Sequence, residues 1–352
     1  MKILYFSFSN LDHSSNAVYI KGLRANGVEV VDFFSKTGRF KKYLEVLKFY
    51  FANREGARYI FAGYDSPKLV IFLKIFSRKP VVYNALCSVI ERLVISRGLA
   101  PKYSPKVWYY WLEDFLAAHL AKLVMLESAH QIDFFRKIFW VSKRKLFLAW
   151  TGADEEKFFY DPAVGKFKNF TVIFRGRLLP ESGAELVVKA AKKLEKERIV
   201  FLMLASGQNL PEAQALIEKL KPSNLKLVTQ FLPIEEVRRL MQSSHLSLGQ
   251  LSSHPRLDRT IPHKAYESLA MRLPYLTARN AAVMELLKEN ETCLACSPAD
   301  PDDLASKILW ARNNPQKTGI IGENGHKLYA SRLQSPILAK TLMSFLRGDS
   351  KS

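Results

Sequence analysis

The feature that most constrains the fold of this chain is a regular alternation of short apolar runs and helical stretches. Ile3–Ser7 is predicted to be a buried strand, Ala17–Asn26 a helix and Val28–Phe33 a second strand. Further strand runs follow, each after a helical stretch: Tyr59–Ala62, Pro80–Tyr83, Leu123–Leu126 and Leu146–Trp150. A β-α-β rhythm of this kind is typical of a parallel sheet with helices on both faces.

A break in this rhythm divides the chain. Phe158–Phe170 contains Asp161-Pro162, Gly165 and scattered lysines, and strand and helix runs then alternate again. A chain of 352 residues is also longer than a domain with a single hydrophobic core usually is. We therefore expect an α/β fold of two doubly wound parallel-sheet domains, residues 1–160 and 161–325, that face a cleft. Residues 326–352 are predicted to form a C-terminal helix that can pack across the domain junction.

The chain carries a large positive charge. It has 53 Lys and Arg against 33 Asp and Glu, a formal net charge of +20. Such an excess suits nucleic acid, an anionic membrane surface or an anionic small substrate, or it serves solubility alone. The sequence has no basic tail, long Lys/Arg block or low-complexity tract, so nucleic acid is not an expected partner.

Other features of the whole sequence bear on its compartment. Three cysteines in 352 residues exclude a disulfide scaffold and suit a reducing compartment. No run reaches the roughly 18–20 apolar residues of a membrane span. Met1–Phe6 lacks the layout of a signal peptide. We expect a cytoplasmic protein, which would meet a membrane as a peripheral protein on its inner face.

The most informative stretch is Gly249–Ala270, where a strand run, a polar loop and a helix follow one another. Pro262 stands where a first-turn proline belongs, and the free N–H groups of such a turn form an anion site. Lys264 and Glu267 are spaced i, i+3 and share one helix face, where a lysine suits a phosphate and a carboxylate suits sugar hydroxyls. The alternative is a surface ion pair. The loop adds two candidate binding residues, Arg256 and Asp258.

A second stretch, Phe174–Gly183, runs from a predicted strand through a polar turn into a helix. Gly176 allows the backbone to approach a ligand closely. Arg175 or Arg177 could make a bidentate phosphate contact. Two surface arginines at a strand end are the equally weighted alternative.

Together these stretches carry a resemblance to a known family. Four segments match it in order: Gly152-Ala-Asp-Glu-Glu-Lys-Phe158, Gly176-Arg-Leu178, Ile261-Pro-His-Lys-Ala-Tyr-Glu-Ser-Leu-Ala270, and Glu285 with Pro298–Leu304. With these motifs the chain resembles the family-four retaining glycosyltransferases of the GT-B fold, which have two Rossmann-like domains. The resemblance is good in the C-terminal half and loose in the N-terminal half.

The resemblance implies a function and residue roles. It implies transfer of a sugar from a nucleotide diphosphate-sugar to a cell-surface glycan or lipid-linked acceptor, with retention, no metal and no cofactor. Glu267 would bind the ribose hydroxyls and Arg177 would neutralise the diphosphate. Pro262–Lys264 would cradle phosphates or sugar. Arg177, Lys264 and Glu267 are thus the catalytic candidates, with Arg175 and Gly176 beside them.

Three positions depart from the family's pattern. Ser182 stands where the family often has a lysine, Arg259 where it has a first Glu, and Arg272 where it has a glycine. Two other functions stay open, the first because of these departures and the second because it uses the same architecture. One is a catalytically silent GT-B binding or scaffold protein, and the other is a nucleotide-sugar epimerase of the same architecture.

Two basic amphipathic segments, Arg39–Arg54 and Ser66–Lys79, bear on the membrane. Each mixes lysines and arginines with large apolar side chains, as helices on an anionic bilayer do. The alternative for each is an ordinary helix covering the sheet. Cys293 and Cys296 are expected to be buried core residues rather than zinc ligands, because no second pair accompanies them. Asp300 is expected to cap a helix.

Overall fold

The computed structural model describes residues 1–38, 40–101 and 103–348. Its contacts divide the chain into two units. The first comprises Met1–Asp154 and the chain from Arg332 onward, and the second comprises Glu155–Ser331. Each unit contains a six-stranded sheet, and the neighbouring strands of the described residues pair in parallel. The predicted pair of doubly wound α/β domains is confirmed.

The first unit has the strand order β2-β1-β3-β4-β5-β6. Its strands are β1 (Lys2–Ser7), β2 (Glu29–Phe34), β3 (Ala57–Ala62), β4 (Val81–Leu86), β5 (Leu123–Leu126) and β6 (Leu146–Leu148). Its helices are α1 (Ser14–Ala25), α2 (Lys41–Asn53), α3 (Pro67–Phe76), α4 (Pro105–Leu120), α5 (Ala129–Phe139) and α13 (Ser335–Arg347), with a π-helical turn at Glu91–Ser96 and a 3₁₀ turn at Lys143–Lys145.

Two apolar layers enclose the first sheet. One contains buried residues of α2, α3, α4 and α5, among them Val46, Leu69, Ala117 and Phe135. The other contains buried residues of α1 and α13. Because both faces are covered, strands such as β1 and β4 are mostly apolar rather than alternating, which is why short apolar runs predicted them.

The second unit has the strand order β12-β11-β10-β7-β8-β9. Its strands are β7 (Phe170–Arg177), β8 (Ile199–Ser206), β9 (Leu225–Val228), β10 (Leu246–Leu248), β11 (Tyr275–Ala278) and β12 (Leu294–Cys296). Its helices are α6 (Ala184–Lys193), α7 (Leu210–Leu220), α8 (Ile234–Ser243), α9 (His263–Ala270), α10 (Ala281–Leu286), α11 (Pro301–Asn313) and α12 (Pro315–Arg332), with a 3₁₀ turn at Pro255–Asp258.

The unit boundaries differ from the predicted 160 and 325. Residues 155–160 group with the second unit because their aromatic side chains pack there. Phe159 lies under Arg238 at 3.9 Å and Tyr160 under Arg272 at 4.5 Å, measured from the guanidinium carbon to the ring centroid. The chain then returns to the first unit at Arg332 rather than 326.

The C-terminal segment is two helices, not one. α12 ends at Arg332 and α13 begins at Ser335, with Pro336 in its first turn. α13 packs against α1 so closely that a Cβ on Gly22 would lie 2.0 Å from the carbonyl oxygen of Ser335. Residues 349–352 of the predicted helix, like Arg39 of the first amphipathic segment, lie outside the described residues.

The structure also bears on three predictions about individual residues and helices. Cys293 and Cys296 are buried, as expected. Asp300 caps α11 by accepting the backbone N–H groups of Asp302 and Asp303 at 2.9 and 3.0 Å. Among the helices of the described residues, none is long and apolar enough to cross a membrane.

Candidate functional site

The candidate site lies where β7 ends and α9 begins, within the second unit. β7 pairs with β10 on one side and β8 on the other, so its carboxyl end is central in the sheet. Gly176 there has φ +143°, and a Cβ at this position would lie 3.5 Å from Lys264 Nζ. α9 starts at His263, directly after Pro262 at the N-cap. The two motifs found in the sequence thus meet in space.

Arg175 and Glu267 form an ion pair between β7 and α9. The Glu267 side chain is 6% exposed and that of Arg175 is 24% exposed. The Arg175 guanidinium also lies 5.2 Å from the ring centroid of Phe158. Burial lowers the pKa of Arg175 to about 10, so the group remains a cation at neutral pH. The carboxylate of Glu267 is therefore occupied by a strand residue, not by its helix neighbour Lys264.

Lys264 is a buried amine whose hydrogen-bond partner is an uncharged side chain. Its Nζ lies 3.3 Å from Gln250 Oε1 and 4.2 Å from the ring centroid of Phe174. Burial, and then the charge of Arg175, lower the pKa of Lys264 to about 7. Within residues 1–38, 40–101 and 103–348, no carboxylate lies within ion-pair distance of Lys264 Nζ. A bound anion would supply the missing countercharge.

Arg177 occupies a different place from Arg175. Its side chain is exposed at the end of β7. With Arg175 and Gly176 it lines a cavity of about 420 Å³. The far wall of this cavity comes from the segment that follows β9, including Gln230 and Phe231. This concave space adjoins the buried charges and is open to a ligand.

The polar loop before α9 is engaged with the β7–α6 turn. Arg256 donates to Glu181 at 2.6 Å, and the two side chains are 13% and 3% exposed. Asp258, on the 3₁₀ turn, is exposed. Ser182 is buried, and its carbonyl accepts the N–H of Leu251 at 3.2 Å. Arg256 thus holds the loop in place, whereas Arg175, Gly176, Lys264 and Glu267 form the charged cluster.

The sequence alone indicated no role for two residues that contact this cluster. Gln250 directly follows Gly249 at the end of β10, and Phe158 was noted only as the end of a motif. The signal for Gln250 was its place just beyond a strand, since ligands of open α/β sheets bind at the carboxyl ends of strands. The cation–π contact of Phe158 depends on packing that spacing does not reveal.

Two six-stranded all-parallel units with flanking helices define a GT-B protein. Residues 157–328 match the family described as Glycosyl transferases group 1. The match covers nearly the whole of the second unit.

Individual relatives are distant. The chain is 22% identical over 153 residues to the uncharacterized glycosyltransferase MJ1178 of Methanocaldococcus jannaschii, a match that spans 44% of this chain and 41% of the relative. The Anabaena Alr3699/HepE structure in complex with UDP and glucose has a TM-score of 0.74 at 18% identity, covering 99% of this chain and 100% of that one. Sucrose-phosphate synthase of Thermosynechococcus elongatus has a TM-score of 0.77 at 14% identity, covering 99% and 98%.

Proposed function

We propose that the protein transfers a sugar from a nucleotide diphosphate-sugar to a cell-surface glycan or lipid-linked acceptor, with retention and without a metal. The observation that carries this proposal is the cluster at the end of β7. Arg175 and Lys264 are two neighbouring cations in partly or fully buried positions, and Glu267 is paired with Arg175. A diphosphate would supply the negative charge that this cluster lacks.

The cluster suggests how leaving-group stabilisation would arise. Lys264 and Arg177 would contact the diphosphate, and the N-terminus of α9 would add backbone N–H groups and its dipole. These donors are fixed before the reaction, so charge that develops on the departing diphosphate meets a preorganised environment. Glu267 would accept hydrogen bonds from ribose hydroxyls while Arg175 holds its carboxylate in place.

A nucleotide donor also has support from a structural relative. The Anabaena HepE protein was crystallised with UDP-glucose, and its chain has the same fold over 99% of this one. We propose a donor of this chemical class and use UDP as the probe. We also propose a cytoplasmic protein that works peripherally at the inner face of a membrane.

A donor panel tests the proposal. The protein is incubated with nucleotide diphosphate-sugars and native lipid extract, and products are analysed by mass. We expect one donor to add the mass of its sugar to an acceptor, and EDTA to leave the rate unchanged. If no donor adds the mass of its sugar to an acceptor, the transferase proposal is wrong. If EDTA abolishes the transfer rate, the proposal of a metal-independent reaction is wrong.

A silent binding protein is the second candidate. The observation that favours it is Ser182, which is buried in a backbone contact where related enzymes often carry a lysine. This candidate predicts UDP binding, measured by thermal shift, without transfer to any acceptor. An epimerase predicts a changed donor without acceptor, so omission of the lipid extract separates the three functions.

A further inference from the structure

The first sheet has an edge that the proposed donor chemistry does not use. In a parallel sheet all strands begin at one edge, and each connecting helix ends there because it runs back across the sheet. The pairing of β1 with β2, which starts at Lys2↔Glu29, and of β5 with β6, which starts at Val124↔Leu146, defines this amino-terminal edge. Ligands of open α/β sheets bind at the opposite edge.

A group of basic residues lies at the amino-terminal edge. We define the basic edge as the residues that directly precede β3–β6, namely Arg54, Arg78, Lys79, Lys122, Arg144 and Lys145. α13 adds Arg347, which lines a cavity of about 420 Å³ with Lys122 and Arg144. Burial, and then the charge of Lys122, lower the pKa of Lys145, as crowded cations would. One acidic residue, Glu55, lies beside these cations, in the segment between α2 and β3.

Helices that end at this edge leave apolar side chains in solvent. Ile75 in the last turn of α3 is 69% exposed, and Trp140 at the end of α5 is 68% exposed. Phe51 in α2 and Phe76 in α3 are exposed as well. Nucleic acid attracts cations but gives no reason for exposed aliphatic side chains. Large apolar groups beside cations are typical of surfaces that lie in a membrane interface.

A concave site joins the two kinds of residue. It has a volume of about 530 Å³ and is lined by Tyr50, Arg54, Glu55, Phe76, Arg78 and Lys79, among others. The Arg54 guanidinium lies 5.0 Å from the ring centroid of Phe51. Lys79 Nζ donates to the carbonyl of Ala57 at 2.6 Å, which leaves Arg54 and Arg78 as the exposed cations. Arginines bind phosphate oxygens through paired N–H donors.

We propose that the basic edge docks on an anionic phospholipid bilayer. Phe51, Ile75, Phe76 and Trp140 enter the interface, and Arg54 with Arg78 holds a lipid phosphate. Charge complementarity carries the choice of partner, and the exposed apolar residues favour a bilayer over a nucleic acid or an acidic protein. The inference depends on the first unit alone; it rests on the peripheral membrane location proposed above and deepens it by naming the docking surface.

Vesicle sedimentation tests the docking. We expect the full chain to bind vesicles of phosphatidylcholine with phosphatidylglycerol, and not vesicles of phosphatidylcholine alone. The double variant Arg54→Glu/Arg78→Glu should lower the partition coefficient by roughly tenfold or more. The matched control Lys189→Glu/Lys226→Glu changes the net charge equally at exposed positions of the second unit and should retain binding. Equal losses in both variants would overturn the proposal.

Fluorescence locates the contact. Trp140→Phe should abolish most of the vesicle-induced blue shift, whereas Trp310→Phe, in α11 of the second unit, should leave it intact. The reverse result would place the membrane contact on the second unit and refute the assignment. Stronger binding to heparin or DNA than to anionic vesicles would also refute it. UDP binding is measured for every variant as well. A variant that binds UDP but not vesicles has lost docking alone, so failure of docking is distinguished from failure of the donor site.

Discussion

Lys264 is the residue whose charge state links the candidate site to pH. Its pKa falls from 10.5 to about 7 in the folded protein, so near neutral pH the amine is charged in only part of the population. A bound diphosphate would favour the charged form and raise the pKa. Between the free and bound pKa values, UDP affinity should fall by up to about tenfold per pH unit as pH rises. Calorimetric titration from pH 6.5 to 9 measures this slope.

Lys264→Met provides the control. The variant should bind UDP weakly and without the slope above pH 7. It should also be more stable than wild type at pH 6, because the folded protein no longer has to bury a charged amine. Because folding lowers the pKa of Lys264, the buried charged amine destabilises the folded protein, and this effect is complete below about pH 7. The destabilisation becomes smaller as the pH rises toward 10.5, where the amine loses its charge in the unfolded chain as well. An equal pH slope in both proteins would show that another group controls binding.

Glu267 is predicted to stabilise the second unit through Arg175. Glu267→Gln leaves the guanidinium of Arg175 without a charged partner in a largely buried place, so the free energy of unfolding should fall by about 3 kcal/mol. Urea unfolding measures the change. Glu218→Gln, at an exposed site on α7, should shift it by less than about 0.5 kcal/mol. Equal small shifts would mean that the ion pair does not contribute to stability.

The sequence predicted which residues lie near the site better than it predicted their partners. Lys264 and Glu267 share one face of α9, and this spacing suggested a mutual ion pair. In the structure Glu267 pairs with Arg175, ninety-two positions earlier in the chain. Spacing along a helix reveals neighbours within that helix. The approach of β7 to α9 is decided by tertiary packing, which no local pattern encodes.

At the scale of elements, apolar runs identified strands well because both faces of each sheet are buried. The C-terminal helix was predicted less well. Its run of helical periodicity from His326 to Leu346 conceals a break between α12 and α13. Pro336 in the first turn of α13 was the missed signal, since a proline lacks the N–H that a continuous helix requires there.

The α1–α13 contact depends on a glycine. Gly22→Ala would place a methyl group against the backbone of Ser335, and the helices would have to separate. We expect a loss of about 2–3 kcal/mol in unfolding free energy. Gly38→Ala is the matched control, because no atom lies within 4 Å of a Cβ built there. Chemical denaturation measures both variants, and equal stability would contradict the close packing.

At the scale of the whole molecule, the first unit is completed by the end of the chain. Leu338, Leu342 and Met343 of α13 are buried in its core. Truncation after Ser331 should therefore cost at least about 5 kcal/mol and expose an apolar face of α1. Truncation after Gly348 removes no described residue and should be neutral. Soluble yield and urea unfolding compare the two, and a stable protein ending at Ser331 would refute the role of α13.

Charge at this scale could be counted from the sequence but not located. The two predicted amphipathic segments contain Arg54, Arg78 and Lys79, yet they do not contain Lys122, Arg144 or Arg347. Only the parallel topology of the sheet brings these distant residues to one edge. Net charge alone therefore suggested an anionic partner. The order of the strands suggests which surface of the first unit binds it.

The return of α13 to the first unit also sets an order of events during synthesis. The second unit is continuous in the chain and is complete once Ser331 has left the ribosome. The first unit, although translated earlier, has no covering helix for one face of α1 until α13 emerges. The nascent chain must therefore keep an open first core while its second unit folds, and chaperones that bind exposed apolar surfaces should recognise the amino-terminal half until α13 has been synthesised.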